Sequence, residues 1–275
     1  MCMIWATGWV RSEINGSTSR LPSEVDEGFL RRRFDPKIMT LALDLYYKGA
    51  SLRKVTQHLA QFYGIKVSQV AVLKWIRKFG ELTHDYANTL NPQLSGVWNC
   101  DEMKTKMAHE DQINGERFFW LWNALDNQTR FMTAIHLTRG RTRKDAHAFF
   151  QVAKKQAKKD PRVIITDGLN SYRGEYGSRE VVHIAGVGIQ GRINNNRVER
   201  LHNTMREREK VMRNLKRAKS AEKILKGFRA YYNFVRSHMT LDGHTPAQEA
   251  AIPIQLGTNR WLDLIRQAAR HNSHV

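Results

Sequence analysis

The chain has 275 residues, of which 41% are hydrophobic and 26% are charged, and this composition excludes a disordered or collagen-like protein. Its 45 Lys and Arg against 26 Asp and Glu leave a formal net charge of +19, which attracts polyanions. Because phosphate neutralisation supplies most sequence-independent affinity for nucleic acid, the charge predicts a nucleic-acid partner. Ribosomal and membrane-surface proteins carry similar charge and are the alternatives.

The cysteine content and hydropathy bound the cellular compartment. Only Cys2 and Cys100 are present, which excludes a disulfide framework and a cysteine-built zinc site. No stretch approaches the roughly 18 apolar residues of a membrane span, and the first ten residues lack the positive start of a signal peptide. The sequence therefore predicts a cytoplasmic, nucleoid-associated protein.

Residues 1–34 have no sustained periodicity and are predicted to form a disordered or basic N-terminal arm. Residues 35–80 then carry three apolar runs at helical spacing, with Gly64 between the second and the third. Ser51 and Ser68 are predicted to cap the second and third helices. Two short helices joined by a Gly-containing turn are typical of a helix-turn-helix DNA-binding domain. Three residues of its second helix are predicted to contact DNA: Gln69, Lys74 and Arg77. A plain three-helix bundle with a solvated basic face is the alternative.

Residues 81–96 are predicted to be a linker, and residues 97–250 a catalytic domain of the α/β class. Three strand-like runs form a predicted meander at 97–107, 117–125 and 131–137. An amphipathic helix follows, then a buried strand at Val163–Ile165 and another short strand at 181–184. The stretch from Asn194 to about Lys226 is predicted to be one long helix, a short helix starts at Thr245, and residues 251–275 form a helical tail. Strands followed by strand–helix alternation indicate a mixed sheet flanked by helices.

Three acidic residues stand where strands and helices carry functional groups: Asp101, Asp167 and Glu199. Mg²⁺ prefers oxygen ligands and is usually held by one or two carboxylates plus substrate phosphates. Two such ions can activate the attacking oxygen and stabilise the leaving oxygen in a phosphodiester displacement. For each residue alone, a helix cap or a solvated surface carboxylate is the more common role.

The sequence around these residues resembles a known family. The strings WNCDEMK, IITDGLNSY and NNRVERLHNTMRER are similar to the three motifs of insertion-sequence DDE transposases, and YYNFVRSHMTLDGHTPAQEA also resembles that family. The resemblance implies an integrase-type, ribonuclease H-like core with a five-stranded mixed sheet, preceded by the small all-α helix-turn-helix domain. It also implies that Asp101, Asp167 and Glu199 are catalytic and hold Mg²⁺, for which Mn²⁺ can substitute. Met103 stands where the family commonly has Thr, at a position that is not a ligand.

The resemblance also implies an activity and partners. The expected reaction is hydrolysis of a phosphodiester at transposable-element ends, followed by transfer of the 3′-hydroxyl into target DNA. The expected partners are double-stranded terminal repeats, target DNA and further copies of the chain in a homodimer or larger synaptic complex. A metal-dependent DNA nuclease and an inactive, transposase-derived DNA-binding regulator are the alternatives. A tyrosine-recombinase set of Tyr231 or Tyr232 with Arg236 and His238 is disfavoured.

Glu102 adjoins Asp101 and is a rival for the first ligand position. Successive strand side chains point to opposite faces of a sheet, so only one of the pair is expected to enter the site, and the motif favours Asp101. Glu102 is predicted to pack or hydrogen-bond within the fold.

Basic and polar residues near the motifs are predicted to bind DNA. Residues three or four apart on a helix share a face, so Glu199 would head a polar stripe along the long helix. The basic loop before the amphipathic helix would add phosphate contacts. The predicted set is Arg141, Arg143, Lys144, Asn196, Arg197, Arg200, His202, Arg206 and Lys210. Helix capping by the asparagines and a bystander role for His202 are the alternatives.

Overall fold

The computed structural model describes residues 27–29, 33–107, 118–174, 180–186, 193–212 and 215–273. Most of the predicted arm at 1–34 therefore lies outside the described residues. Within it, Glu27–Phe29 forms a short 3-10 helix. Phe29 is buried, and its ring centroid lies 4.9 Å from that of Phe79. This short segment therefore contributes to the hydrophobic core.

Three helices open the fold: α1 (Pro36–Lys48), α2 (Leu52–Tyr63) and α3 (Gln69–Ala87). The N-termini of α2 and α3 are capped as the sequence predicts, because Ser51 and Ser68 accept hydrogen bonds from the first turn of their helices. The third helix continues to Ala87, into the segment predicted to be a linker. The linker prediction was wrong there because Thr83, His84 and Ala87 are buried against the rest of the molecule, so packing extends the helix.

The centre of the fold is a five-stranded mixed sheet. Its strands are β1 (Val97–Lys106), β2 (Phe118–Asp126), β3 (Met132–Thr138), β4 (Val163–Ile165) and β5 (Val182–Ile184). Their order is β3-β2-β1-β4-β5. The first three strands pair antiparallel, and β4 and β5 run parallel to β1. The prediction of a five-stranded mixed sheet flanked by helices is confirmed.

Helices cover the sheet: α4 (Arg143–Ala157), α5 (Asn196–Met212) and α6 (Ala218–Ala230). The prediction of one long helix from Asn194 to Lys226 was wrong, because α5 and α6 are separate. Leu215, between them, forms a bridge to Met107 and is buried in a small cluster with Phe119 and Ala221. Burying this side chain beside the end of β1 requires the chain to leave the helical path.

The C-terminal part packs back onto the N-terminal helices. A π-helical turn, Tyr231–Val235, continues α6, and α7 (Pro246–Glu249) begins after Thr245 as predicted. Helix α8 (Arg260–Ser273) follows. Both α6 and α8 contact α3, and one hydrophobic cluster extends from Phe29 to Ile265. The N-terminal helices therefore share a core with the sheet-bearing part, and the domain boundaries remain predictions. Among the described residues, every helix is too short or too polar to cross a membrane.

We expect Gly227→Ala to destabilise the protein, because α3 and α6 are in backbone contact at this glycine. A Cβ at Gly227 would lie 2.9 Å from Cα of Gly80 and would overlap the hydroxyl of Tyr47. Overpacking of this kind costs about 1–3 kcal/mol, which exceeds the roughly 1 kcal/mol that Ala gains over Gly in a helix. Urea unfolding should show the net loss, and Lys219→Ala, at an exposed position of α6, is the control. Equal stability of the two variants would contradict this account of the crossing.

Candidate active site

The pairing of β1 with β4 places the first two predicted acids side by side. In this parallel ladder Asn99 is opposite Ile165, so Asp101 and Asp167 each lie two residues beyond a paired position. Parallel strands are about 4.8 Å apart, and residues two apart point to the same face. Asp101 and Asp167 therefore meet at one edge of the sheet.

The backbone after Asp167 turns sharply. Gly168 has a φ of 103°, and a Cβ there would lie 3.0 Å from the backbone nitrogen of Gly186, so this position requires glycine. Asp167 also accepts a hydrogen bond from the backbone N–H of Leu169 at 3.1 Å, and its side chain is exposed. The Asp-Gly pair thus ends the strand and leaves a carboxylate at its tip.

Asp101 and Glu102 point to opposite faces of β1, as strand alternation predicts. Asp101 is opposite Asn123 in β2 and faces α5, whereas Glu102 accepts a 2.6 Å hydrogen bond from the hydroxyl of Tyr172. The second half of the prediction, that only one of the pair enters the site, was wrong. One oxygen each of Asp101, Glu102 and Asp167 lies within 4.8 Å of the others, and Asp167 stands beyond the last residue of β4.

Glu199, the third predicted ligand, lies in the first turn of α5 and is half-buried. Its charge contributes to raising the pKa of Asp101, so it is in electrostatic range of the cluster. It is not one of the three carboxylates within 4.8 Å of one another among the described residues. Glu102 therefore occupies the third place in that compact group.

Burial and like charge make the cluster unfavourable without a cation. The pKa of Asp101 is raised from 3.8 to about 7, first by burial and then by the charges of Glu102 and Asp167. The pKa of Glu102 is also raised, chiefly by burial. Perturbed carboxylates gathered at one edge of a sheet are typical of a functional site.

A buried histidine lies beside Asp101. Nδ1 of His202 lies 3.5 Å from a carboxylate oxygen of Asp101, and its Nε2 lies 3.0 Å from the side-chain nitrogen of Asn123. Because that amide nitrogen can only donate, Nε2 accepts and Nδ1 carries the proton that faces Asp101. Burial and the charge of Arg206 lower the pKa of His202 to about 3, so the ring is neutral. The prediction that His202 contacts DNA was wrong, because its side chain is only 5% exposed.

Buried asparagines attach the start of α5 to β1, a feature that the sequence interpretation missed. The side chain of Asn99 donates to the backbone oxygen of Asn194 and to the side chain of Asn195, both at 3.1 Å. Asn195 in turn donates to the backbone oxygen of Cys100 at 3.0 Å. Since unsatisfied buried amides are costly, these bonds fix where Glu199 enters the site. The signal in the sequence was that Asn99 and Asn195 stand in two of the three motifs, near the predicted acids.

The basic loop before α4 lies next to the acidic cluster. A guanidinium nitrogen of Arg141 is 3.6 Å from Glu102, and the guanidinium stands 4.3 Å from the centre of the Trp120 ring. Arg143 donates to the backbone oxygen of Arg173, and Lys144 is exposed. Arg141 thus contacts an acidic side chain and is still half-exposed toward solvent.

The other predicted DNA contacts lie on α3 and α5. Gln69 and Lys74 are exposed on α3, whereas Arg77 is half-buried and donates a hydrogen bond to Ser220 of α6. Five predicted residues of α5 remain accessible, and His202 does not; the five are Asn196, Arg197, Arg200, Arg206 and Lys210.

Comparison with known proteins identifies the family of the chain. A family model described as a DDE domain matches residues 98–238, just over half of the chain. The chain therefore belongs to the DDE-domain family of insertion-sequence transposases.

Individual relatives are more distant. An uncharacterized protein of Methanocaldococcus jannaschii is 26% identical over 140 residues, which cover 51% of this chain and 59% of that protein. The chain thus spans about three fifths of that relative's length.

Two solved structures are also similar. The HTLV-2 integrase catalytic core domain in complex with magnesium has 16% identity and a TM-score of 0.40, over 58% of this chain and 97% of that chain. The simian T-cell lymphotropic virus intasome in complex with PP2A regulatory subunit B56 gamma has 13% identity and a TM-score of 0.43, over 81% and 75%.

The raised pKa of Asp101 predicts a pH-dependent gain in stability for Asp101→Asn in metal-free protein. A carboxyl whose folded-state pKa is raised stabilises the fold below its unfolded-state pKa, and this stability is lost as pH rises through the folded-state value. The advantage of the variant should therefore grow between pH values of about 4 and 7, by about 1.4 kcal/mol per unit at most. Urea unfolding in EDTA across this range measures it, with Asp160→Asn, at an exposed carboxylate, as the control. Parallel stability curves for wild type and Asp101→Asn would refute the raised pKa.

Proposed function

We propose that the protein is a metal-dependent DNA transposase that cleaves element ends and joins the freed 3′-hydroxyl to target DNA. The observation that carries this proposal is the meeting of Asp101 and Asp167 at the end of β1 and β4, in a chain of the DDE-domain family. Glu199 on the adjoining helix supplies the third carboxylate of the proposed site.

The donor set fits a hard divalent cation. One oxygen each of Asp101, Glu102 and Asp167 lies within 4.8 Å of the others. Mg²⁺ and Mn²⁺ favour carboxylate oxygens as ligands. Asp101, Asp167 and Glu199 would hold the ions, with Glu102 as the nearest additional carboxylate. When bound, two such ions supply activation of the attacking oxygen and stabilisation of the leaving oxygen.

The chain's own side chains would orient and charge-balance the site. His202 would face Asp101 with its Nδ1, which lies 3.5 Å from a carboxylate oxygen. Tyr172 and Arg141 hold Glu102, so this carboxylate keeps its place beside the ligands. The asparagine contacts between β1 and α5 fix the entry of Glu199. These contacts pre-position the acids before DNA binds.

The proposed chemistry has two phosphodiester exchanges. In the first, a water oxygen bonds to phosphorus and the bond to the 3′ oxygen breaks; the 3′ oxygen takes up one proton of the water and becomes the 3′-hydroxyl of the element end, and the other proton remains with the 5′-phosphate product. In the second, this hydroxyl bonds to a target phosphorus and displaces a target 3′ oxygen, which takes up a proton. Each step forms and breaks one P–O bond, so the proposal needs neither a covalent protein intermediate nor a nucleotide cofactor.

DNA recognition is proposed for two surfaces. Helices α2 and α3 would read the terminal repeats as a helix-turn-helix, with Gln69 and Lys74 exposed for base or phosphate contacts. Arg143, Lys144, Arg206 and Lys210 would hold backbone phosphates near the acidic cluster. Two element ends must be joined in one event, so we propose a homodimer or larger assembly acting on nucleoid DNA in the cytoplasm.

Asp167→Asn should abolish both cleavage and joining while DNA binding persists. Loss of a metal ligand removes several kcal/mol of transition-state stabilisation, which corresponds to a thousandfold or greater loss of rate, to order of magnitude. Labelled element ends incubated with Mg²⁺ or Mn²⁺ and a target plasmid report cleavage and joining on a gel. Asp160→Asn is the matched control and should behave as wild type.

Other outcomes of this assay identify the rival functions. Cleavage without joining by wild-type protein would indicate a nuclease. DNA binding without any metal-dependent chemistry would indicate a regulator. Full activity of Asp167→Asn would refute the acidic metal site.

Activities of Glu199→Gln and Glu102→Gln should show which of the two glutamates is the third metal ligand. If Glu199 completes the metal site, Glu199→Gln loses activity to the same extent as Asp167→Asn. Glu102→Gln should keep measurable activity, with a loss of about 10–100-fold, the usual effect of removing a partner that orients metal ligands. Single-turnover cleavage and Mn²⁺ titration measure both. A larger loss of activity in Glu102→Gln than in Glu199→Gln would assign Glu102 as the third ligand.

A further inference from the structure

A cationic cavity lies against α5, on a different face from the one that carries Glu199 and His202. Its volume is about 340 Å³, at the lower end of the ~300–1,000 Å³ of small-ligand pockets. Four arginines line it: Arg130 from the turn between β2 and β3, Arg197 and Arg200 from α5, and Arg236 after the π-helical turn. No carboxylate lines the cavity among the described residues. Four guanidiniums from three separate parts of the chain thus converge on one space.

These four charges are not neutralised by the protein. In the part of the chain that the structure describes, none of the four arginines is within ion-pair distance of a carboxylate. Nε of Arg197 is buried and lacks a hydrogen-bond partner there. Burial and the charge of Arg197 lower the pKa of Arg130. Because gathering like charges is unfavourable, the arrangement indicates an anionic ligand.

The turn that carries Arg130 is held rigidly beside α5. The backbone at Arg130 is left-handed, with φ of 60°, a conformation uncommon for residues other than glycine. The buried carboxylate of Asp126 accepts hydrogen bonds from the backbone of Gln128 and Thr129, and Asn127 donates to Asn99. The same asparagine contacts that fix Glu199 therefore also fix this wall of the cavity.

The lining favours a phosphate over a base. Guanidinium groups match phosphate oxygens with paired N–H donors, and Asn194, Thr204 and Thr240 add further polar groups. The aromatic ring in the wall, Tyr232, is covered by Arg236 at 5.9 Å and by His238 at 4.6 Å, and is only 6% exposed. A base therefore has no open ring face on which to stack.

The cavity and the acidic cluster share one helix but use different faces. Arg197, Arg200 and Thr204 follow helical spacing on one face of α5, whereas Glu199 and His202 belong to the face toward β1. Arg197 and Glu199 are two residues apart, and at a rise of about 1.5 Å per residue they lie within the same turn of α5. A strand bound in the cavity would thus be held close to the acidic site along α5.

We propose that this cavity binds a non-scissile phosphate of the DNA strand, as a second anchoring site that positions the substrate for the acidic cluster. The proposal rests on the proposed function for the identity of the DNA substrate. It assigns Arg130 and Arg236, which the sequence interpretation did not select as DNA contacts, to substrate positioning.

The test measures DNA binding in EDTA, so its result does not depend on metal chemistry. Anisotropy of a fluorescein-labelled DNA duplex is titrated against salt for wild type, Arg130→Gln, Arg236→Gln and Thr204→Glu. We expect each variant to bind about tenfold more weakly, and the slope of log K against log salt to fall by about 0.9, the value of one lost phosphate. Arg270→Gln, an exposed arginine on α8, should bind as wild type. Unchanged affinity and slope in all three cavity variants would overturn the proposal.

Two further measurements separate the loss of a phosphate contact from misfolding and from binding of a free anion. Thermal unfolding of each variant identifies any loss of folding, and Thr204→Glu keeps all four arginines and places a negative charge at a partly exposed wall position. Thermal unfolding of wild type with inorganic phosphate or dAMP, at matched ionic strength, tests a free anion as ligand. Stabilisation by either compound, combined with unchanged DNA affinity in the variants, would assign the cavity to a small phosphate ligand and contradict the DNA proposal. Failure of metal-dependent cleavage with intact salt-slope differences would instead contradict only the proposed function.

Discussion

The parallel pairing of β1 with β4 brings chemical groups from distant parts of the chain to one edge of the sheet. With Asn99 opposite Ile165, the two aspartates that follow these residues lie next to each other. A shift of one residue in that register would turn one of them to the other face. The three-residue length of β4 leaves little ladder to fix the register, and the buried side chain of Ile164 between the layers supplies the remaining constraint.

The site combines groups that repel each other with contacts that hold them in place. Burial raises the pKa of Asp101 to about 7 and so works against its charge. The hydrogen bond from Tyr172 to Glu102 and the His202 ring 3.5 Å from Asp101 flank the carboxylates in spite of that cost. Stability lost at a functional site in this way is commonly offset by the core elsewhere. In this protein the compensating stability comes from the large hydrophobic core that joins the N-terminal helices to the sheet.

Helix α5 connects the two charged regions of the molecule. Its face toward β1 carries Glu199 and the neutral His202, and its adjoining face carries Arg197 and Arg200. The asparagine contacts at its start fix both faces at once, because a helix turns as a rigid unit. Among the described residues, arginines and no carboxylates line the cavity beside the acidic site, and this is the arrangement that the proposed phosphate binding requires.

Local sequence patterns were enough to predict the succession of strands along the chain and the helix caps at Ser51 and Ser68, because these features depend on periodicity and turn chemistry. The selection of Asp101 and Asp167 as site residues came instead from the resemblance of their motifs to a known family. Other features follow from tertiary packing alone. The break at Leu215 and the extension of α3 to Ala87 depend on what each segment packs against. Likewise, Glu102 approaches the acidic group, His202 is buried against Asp101, and Arg130 joins Arg236. These contacts join residues that are far apart in sequence. Tertiary packing decides which of those side chains meet, and a local sequence pattern carries no information about it.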